Sequence, residues 1–167
     1  MPISQMLLPE FDHEMATTRR MLERVPDDNP GWKPHEKSFP IAHLAQLIAR
    51  MPGWVTNALT QTELDLSPPG GGNWAYTFEK TSTLLAEFDR NVVAARDAIA
   101  RTTDADLDVP WSLKRGGVTL MTQPRYSIVR EMSINHIVHH RGQLSVYLRL
   151  LGVPVPMIYG PTADERM

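Results

Sequence analysis

Ser133-Ile134-Asn135-His136-Ile137-Val138-His139-His140-Arg141-Gly142-Gln143-Leu144 sets three histidines inside a stretch that otherwise reads as a long, mostly apolar helix. At about 100° of turn per residue, His136 and His140 lie only about 40° apart around the axis, and His139 is turned about 60° from His136. Cβ atoms four residues apart are separated by about 6 Å, so the two leaning imidazoles can reach one ion with bonds of about 2.1 Å. The pair alone does not define a metal site. The same spacing occurs on helix surfaces and among packed core residues, and the Glu that makes H-E-x-x-H specific is missing. Ile128, Met132, His136, His140, Leu144, Tyr147 and Leu151 advance by three or four, which puts the pair in the apolar stripe expected to face the core. Desolvation there favours the neutral ring that a cation needs.

Composition narrows the classes. A chain of 167 residues is most simply one domain, 1–167, with a core that needs no disulfide. Seventeen basic against nineteen acidic side chains give a net charge of −2 without a basic block, so no nucleic-acid partner is expected. The absence of cysteine excludes a disulfide framework, a Cys nucleophile and thiolate ligation, and any metal must take N and O ligands. The first residues lack the basic region and apolar core of a signal peptide, and no apolar run is long enough to span a membrane. The default expectation is a cytoplasmic protein with no membrane partner.

Outward from the histidines, the pattern is helical. Residues 4–24 carry apolar positions at nearly helical period, with His13 and Glu14 read as solvated; residues 25–34 are dense in turn-formers, with Trp32 expected to plug one end. Ser38 as N-cap and Pro40 in the first turn announce a second helix, which Pro52-Gly53 should kink or break before it runs on to about residue 62. His43 lies four residues before Leu47 and shares its apolar face. On its own, such a residue is more often a packed core histidine than a ligand. Residues 66–73 form a loop whose glycines lack the Lys-Ser/Thr of a phosphate cradle. A third helix is expected over 78–101. Residues 104–123 place β-favouring runs around Lys114-Arg115-Gly116-Gly117, a short hairpin or extended loop. The last helix spans 124–151 and is closed by Gly152, Pro154 and Pro156, with an irregular tail packing down behind it. The expected fold class is therefore all-α, a four-helix bundle with a short hairpin or loop between helices three and four.

Ile41-Ala42-His43-Leu44, then Asn135-His136 and His140-Arg141-Gly142-Gln143, then Leu151-Gly152-Val153-Pro154-Val155-Pro156, resemble the DinB/YfiT-like superfamily of metalloenzymes. Trp32-Lys33-Pro34 ahead of the second helix is similar as well. The resemblance covers about residues 25–160. It implies an up-down-down-up four-helix bundle, often a homodimer, in which His43, His136 and His140 hold a divalent ion, typically nickel or zinc. It also implies small-molecule chemistry, since the better-understood members are thiol-dependent S-transferases and an isomerase.

Three histidine ligands leave a coordination position open, as catalytic sites do. An S-transferase using a low-molecular-weight thiol and a hydrolase using water both remain open, as do a non-catalytic metal-binding or stress-related protein and a helical dimerisation module. Gln143, seven residues after His136, returns to nearly the same face and is a candidate for cofactor or substrate contact or for orienting a ligand. Asn135 is a weaker candidate of the same kind. Arg141, about 100° from His140, is read as a structural pair or as a partner for an anionic group at a pocket mouth. His139 is read as a rim or interface residue.

Overall fold

The computed structural model describes residues 1–71 and 75–166. It has a helical body, α1 (Ile3–Leu22), α2 (Ile41–Arg50), α3 (Pro52–Thr60), α4 (Thr81–Arg101), the short α5 (Asp104–Asp108) and α6 (Arg125–Ser127), and α7 (His136–Leu150). A sheet of β1 (Glu63–Asp65), β2 (Pro110–Arg115) and β3 (Val118–Pro124) accompanies it. The all-α expectation is thus corrected: the fold is mixed, and a three-stranded sheet in the order β1-β2-β3 is part of it.

The sequence supplies the reasons for the helices. Leu7, Phe11, Met15 and Leu22 recur along one face of α1, and Leu84, Phe88, Ala95 and Ile99 along one face of α4; all are buried. Each large aliphatic or aromatic side chain so buried contributes about 1.5–3 kcal/mol. Helix α4 packs on α1, α2 and α3, while α7 packs on α1 and α2. Pro52 breaks the second helical run as expected, ending α2 at Arg50 and starting α3 at its first position. Ser38 makes no cap, and Pro40 itself occupies the N-cap position of α2.

The expected hairpin forms. Strands β2 and β3 are antiparallel around Gly116 and Gly117, whose φ values of 57° and 79° make the left-handed pair of a two-residue turn. Strand β1 was not expected. It lies parallel to β2, pairing Glu63 with Ser112, Leu64 with Leu113 and Asp65 with Lys114. The Asp65 carboxylate accepts from the main-chain N–H of Ser67, Gly116 and Gly117, tying the β1 end to the hairpin turn. The loop expected over 66–73 is described as far as Gly71, and Gly72 and Asn73 lie outside the described residues.

The last helix departs from simple period. Between α6 and α7 the chain is π-helical over Ile128–Asn135. Burial follows that geometry: Ile128 and Val129 are fully buried, then Ser133 and Ile134, five residues on, and the three-to-four step resumes from Ile137 to Leu144 and Leu148. The widened turn leaves Met132 and His136 only half-buried. Gly152, at φ 72°, closes α7, with Val153 N–H bonded to the Leu148 carbonyl.

Candidate functional site

The wide π turn delivers the chain into α7 at His136, and regular helix carries it to His140. Their Nε2 atoms face each other at 3.0 Å. On its other side, His140 Nδ1 lies 2.7 Å from Gln143 Oε1, and the Gln143 amide nitrogen lies 3.1 Å from His139 Nε2. Gln143 thus fixes the tautomer of His140, whose Nδ1–H donates to the amide oxygen. The Met132 main-chain carbonyl, one turn back, favours the protonated form of His136. With its hydrogen on Nδ1, His140 turns its Nε2 lone pair toward His136 Nε2, which donates a hydrogen to it in one tautomer and presents a second lone pair to the same small space in the other.

Electrostatics hold the rings neutral. Burial pushes both imidazoles below their ordinary value; the Gln143 and Met132 hydrogen bonds oppose this in part, and neighbouring rings add to it. An additional proton, which would make either ring an imidazolium, is therefore disfavoured. Two nitrogens at about 2.1 Å from one ion, subtending 90–109°, are themselves about 3.0–3.4 Å apart. The His136–His140 separation lies in that range.

His43 stands in the first turn of α2, the helix that packs against α7. Its ring is sandwiched between Phe39, at 4.3 Å between centroids, and Tyr76, at 3.7 Å. Arg50 lies over the Tyr76 ring at 5.3 Å. Burial lowers the His43 pKa as well. The structure brings His136, His140, His139 and Gln143 together. Among the described residues, no three His, Asp or Glu side chains are gathered closely enough to hold one ion.

Arg141 points the other way, into the core between α7 and α1, where it is 1% exposed. Its guanidinium meets the Glu14 carboxylate at 2.7 Å and donates to Thr18 Oγ1, the Glu14 carbonyl and the Tyr159 hydroxyl. Glu14, expected to be solvated, is instead buried. A signal for this was present: Glu14 follows Phe11 by three and precedes Thr18 by four, on the buried face of α1. Asn135 is exposed, and Tyr147 packs edge-on against Trp32 at 5.6 Å.

A cavity of about 420 Å³ opens beside His136. Leu64, Leu66, Trp111 and Leu113 line it from the sheet side, and Leu47, Trp54 and Asn57 from α2 and α3. Ile128, Met132 and His136 close it from the π-helical side, with Tyr76 completing the wall. Strand β1, missing from the sequence reading, and the expected hairpin thus together form one wall of the pocket. A larger open groove between α3 and α4, rimmed by Asp89, Arg90, Asp97 and Arg101, shares no residue with the histidine site.

The family model described as the DinB family matches residues 6–166. The chain belongs to the DinB family. A DinB-like protein from Bacillus cereus, known from its crystal structure, is similar at 20% identity with a TM-score of 0.68, covering 91% of this chain and 95% of that one. A DinB-like protein from Bacillus subtilis is similar at 18% identity and the same TM-score of 0.68, covering 96% of this chain and 99% of that one. At these identities the likeness speaks for the fold. No curated protein matches the chain.

Proposed function

We propose that this DinB-family chain is a metal-dependent enzyme acting on a small molecule, in which His136 and His140, with His43 as third ligand, hold a divalent ion, nickel or zinc. The observation that carries this reading is the 3.0 Å approach of two Nε2 atoms, with Gln143 engaging the far nitrogen of one ring. Second partners of this kind orient ligand imidazoles and raise their basicity. His43, the third neutral ring, is stacked between Phe39 and Tyr76 and is not gathered with the pair in this structure, so its ligation requires the ring to leave that stack. A divalent ion held by these residues would supply Lewis acidity, lowering the pKa of a water or thiol toward neutral.

The remaining work belongs to the chain. The apolar cavity beside His136 excludes water and positions the reacting molecule, Gln143 keeps His140 in one tautomer, and the burial of the rings keeps protons from competing for their nitrogens. The cavity reaching His136 favours catalysis over metal storage, which would enclose the ion. The reaction is either transfer of a low-molecular-weight thiol or hydrolysis.

Metal analysis of protein purified without a histidine tag tests the site. One equivalent of nickel or zinc is expected in the native chain and loss of it in His136→Ala and His140→Ala, each checked for folding by circular dichroism. His43→Ala with undiminished metal overturns the third ligand; native protein unable to bind nickel or zinc overturns the reading. Metal-loaded protein offered thiols with electrophiles, or esters and amides alone, then separates transfer from hydrolysis by thiol loss.

A further inference from the structure

The cavity beside His136 carries a specificity of its own. Its sheet wall is Leu64, Leu66, Trp111 and Leu113, and its floor is Met132 and Ile128. Among the described lining residues there is no Lys, Arg, Asp or Glu. With no ion on His136, nothing on the described wall can compensate a phosphate, a carboxylate or an ammonium, and transferring an uncompensated charge into such surroundings is strongly unfavourable. The volume, about 420 Å³, falls low in the range of small-molecule sites, about 300–1,000 Å³. Polar capacity is sparse but present. Trp111, 4% exposed, and Asn57 stand in the wall, and Trp111 Nε1 and Asn57 Oδ1 have no partner within the protein.

We infer that the cavity binds an uncharged organic molecule with an apolar mono- or bicyclic body or an equivalent aliphatic one, held against His136. As the substrate of the enzyme, this molecule depends on the metal-centred reading above; as a ligand of the cavity, it does not. The charged or heavily hydroxylated part of any co-substrate stays outside this pocket. The selecting surface is built by three segments distant in sequence, the β1–β2 edge, α3 and the π-helical turn, which meet only in the fold.

A matched pair of fluorescent probes tests the inference: neutral N-phenyl-naphthylamine, and anilinonaphthalene sulfonate, which adds a fixed negative charge to the same rings. The full chain is titrated with each, following energy transfer from tryptophan. The neutral probe is expected to bind roughly tenfold or more tighter than the sulfonate. Leu113→Trp and Leu64→Trp, which fill the cavity from the sheet side, are each expected to weaken the neutral probe by about tenfold. Sulfonate binding equal to the neutral probe overturns the inference, as does undiminished neutral-probe binding in both variants with native circular dichroism. Should neither variant fold, native protein competed with uncharged naphthalene alcohol and with naphthoate decides it, and equal competition by the two is the overturning result. Metal content measured on the same samples keeps the two readings apart: probe selectivity without metal sinks the metal centre and leaves the pocket assignment standing.

Discussion

Arg141 Nη2 lies 2.7 Å from Glu14 Oε2, and the two side chains are 1% and 9% exposed, so α7 is pinned to α1 at the residue following His140. The Tyr159 hydroxyl completes the contact at 2.9 Å from both Glu14 oxygens, which brings the C-terminal tail onto the same point. The rotation of α7, and with it the direction in which His140 faces, depends on this buried pair. A buried ion pair stabilises little over a well-packed apolar replacement, but breaking it leaves a charge stranded. Glu14→Ala is expected to cost about 3–5 kcal/mol in urea unfolding. The double replacement Glu14→Leu with Arg141→Met should recover most of that loss. If Glu14→Ala proves neutral, the pair does not set the helix.

Gln143 has a role that can be measured apart from folding. Its oxygen meets His140 and its nitrogen meets His139, and the residue is exposed enough for truncation to leave the core untouched. Removing such a ligand-orienting partner typically weakens metal affinity by about 10–100-fold. Isothermal titration of Gln143→Ala with zinc should show a loss of that size with unchanged melting temperature, while His139→Ala keeps full metal stoichiometry. A Gln143→Ala protein with native affinity would show that the contact to His140 is incidental.

Acid should loosen the fold through the histidines. His43, His136 and His140 all have pKa values below the ordinary imidazole value, burial being the largest cause in each. Between those lowered values and about 6.5 the unfolded chain binds more protons than the folded one, so stability rises with pH across that window. The contribution is fully present above about pH 6.5 and is lost as pH falls through the folded-state values. The urea midpoint should therefore be lower at pH 5 than at pH 8, and His136→Gln with His140→Gln should flatten the difference. Metal affinity should fall in the same direction, because protons compete for the same nitrogens.

The hairpin turn offers a local test of the sheet wall. A side chain at Gly117, at φ 79°, meets no neighbouring atom within 4 Å, so Gly117→Ala carries only the conformational penalty. That penalty is about 1–2 kcal/mol. Calorimetry is expected to register it, whereas a stabilised Gly117→Ala protein would contradict the turn geometry.

Much of this molecule is written locally. The helical period of apolar residues placed α1, α4 and the continuous run from α6 through the π-helical segment to α7 within a few positions, Pro52 divided the second helical run, and Gly116-Gly117 between β-favouring runs marked the hairpin. The His136–His140 pair could be read from spacing alone, because four residues on a helix bring two side chains to one face whatever surrounds them. Two features escaped the local pattern, each in its own way. Glu63-Leu64-Asp65 is too short to carry a period, and it becomes a strand only by pairing with Ser112, Leu113 and Lys114, 49 residues further along the chain. The π-helical turn is a slip in hydrogen bonding that residue type does not announce, yet it puts Met132 and His136 on the cavity wall.

The sequence by itself determined the helices, the hairpin and the histidine pair, because each rests on side chains near one another along the chain. Only the tertiary structure decided that Glu14 is buried against Arg141, that His43 stacks between Phe39 and Tyr76, and that sheet and helices enclose one apolar cavity beside His136. Apart from the Phe39–His43 stack, four positions apart, those contacts join segments from about 30 to over 120 positions apart, and burial sets their energetics; a contact between distant segments exists only once the whole chain has folded around it.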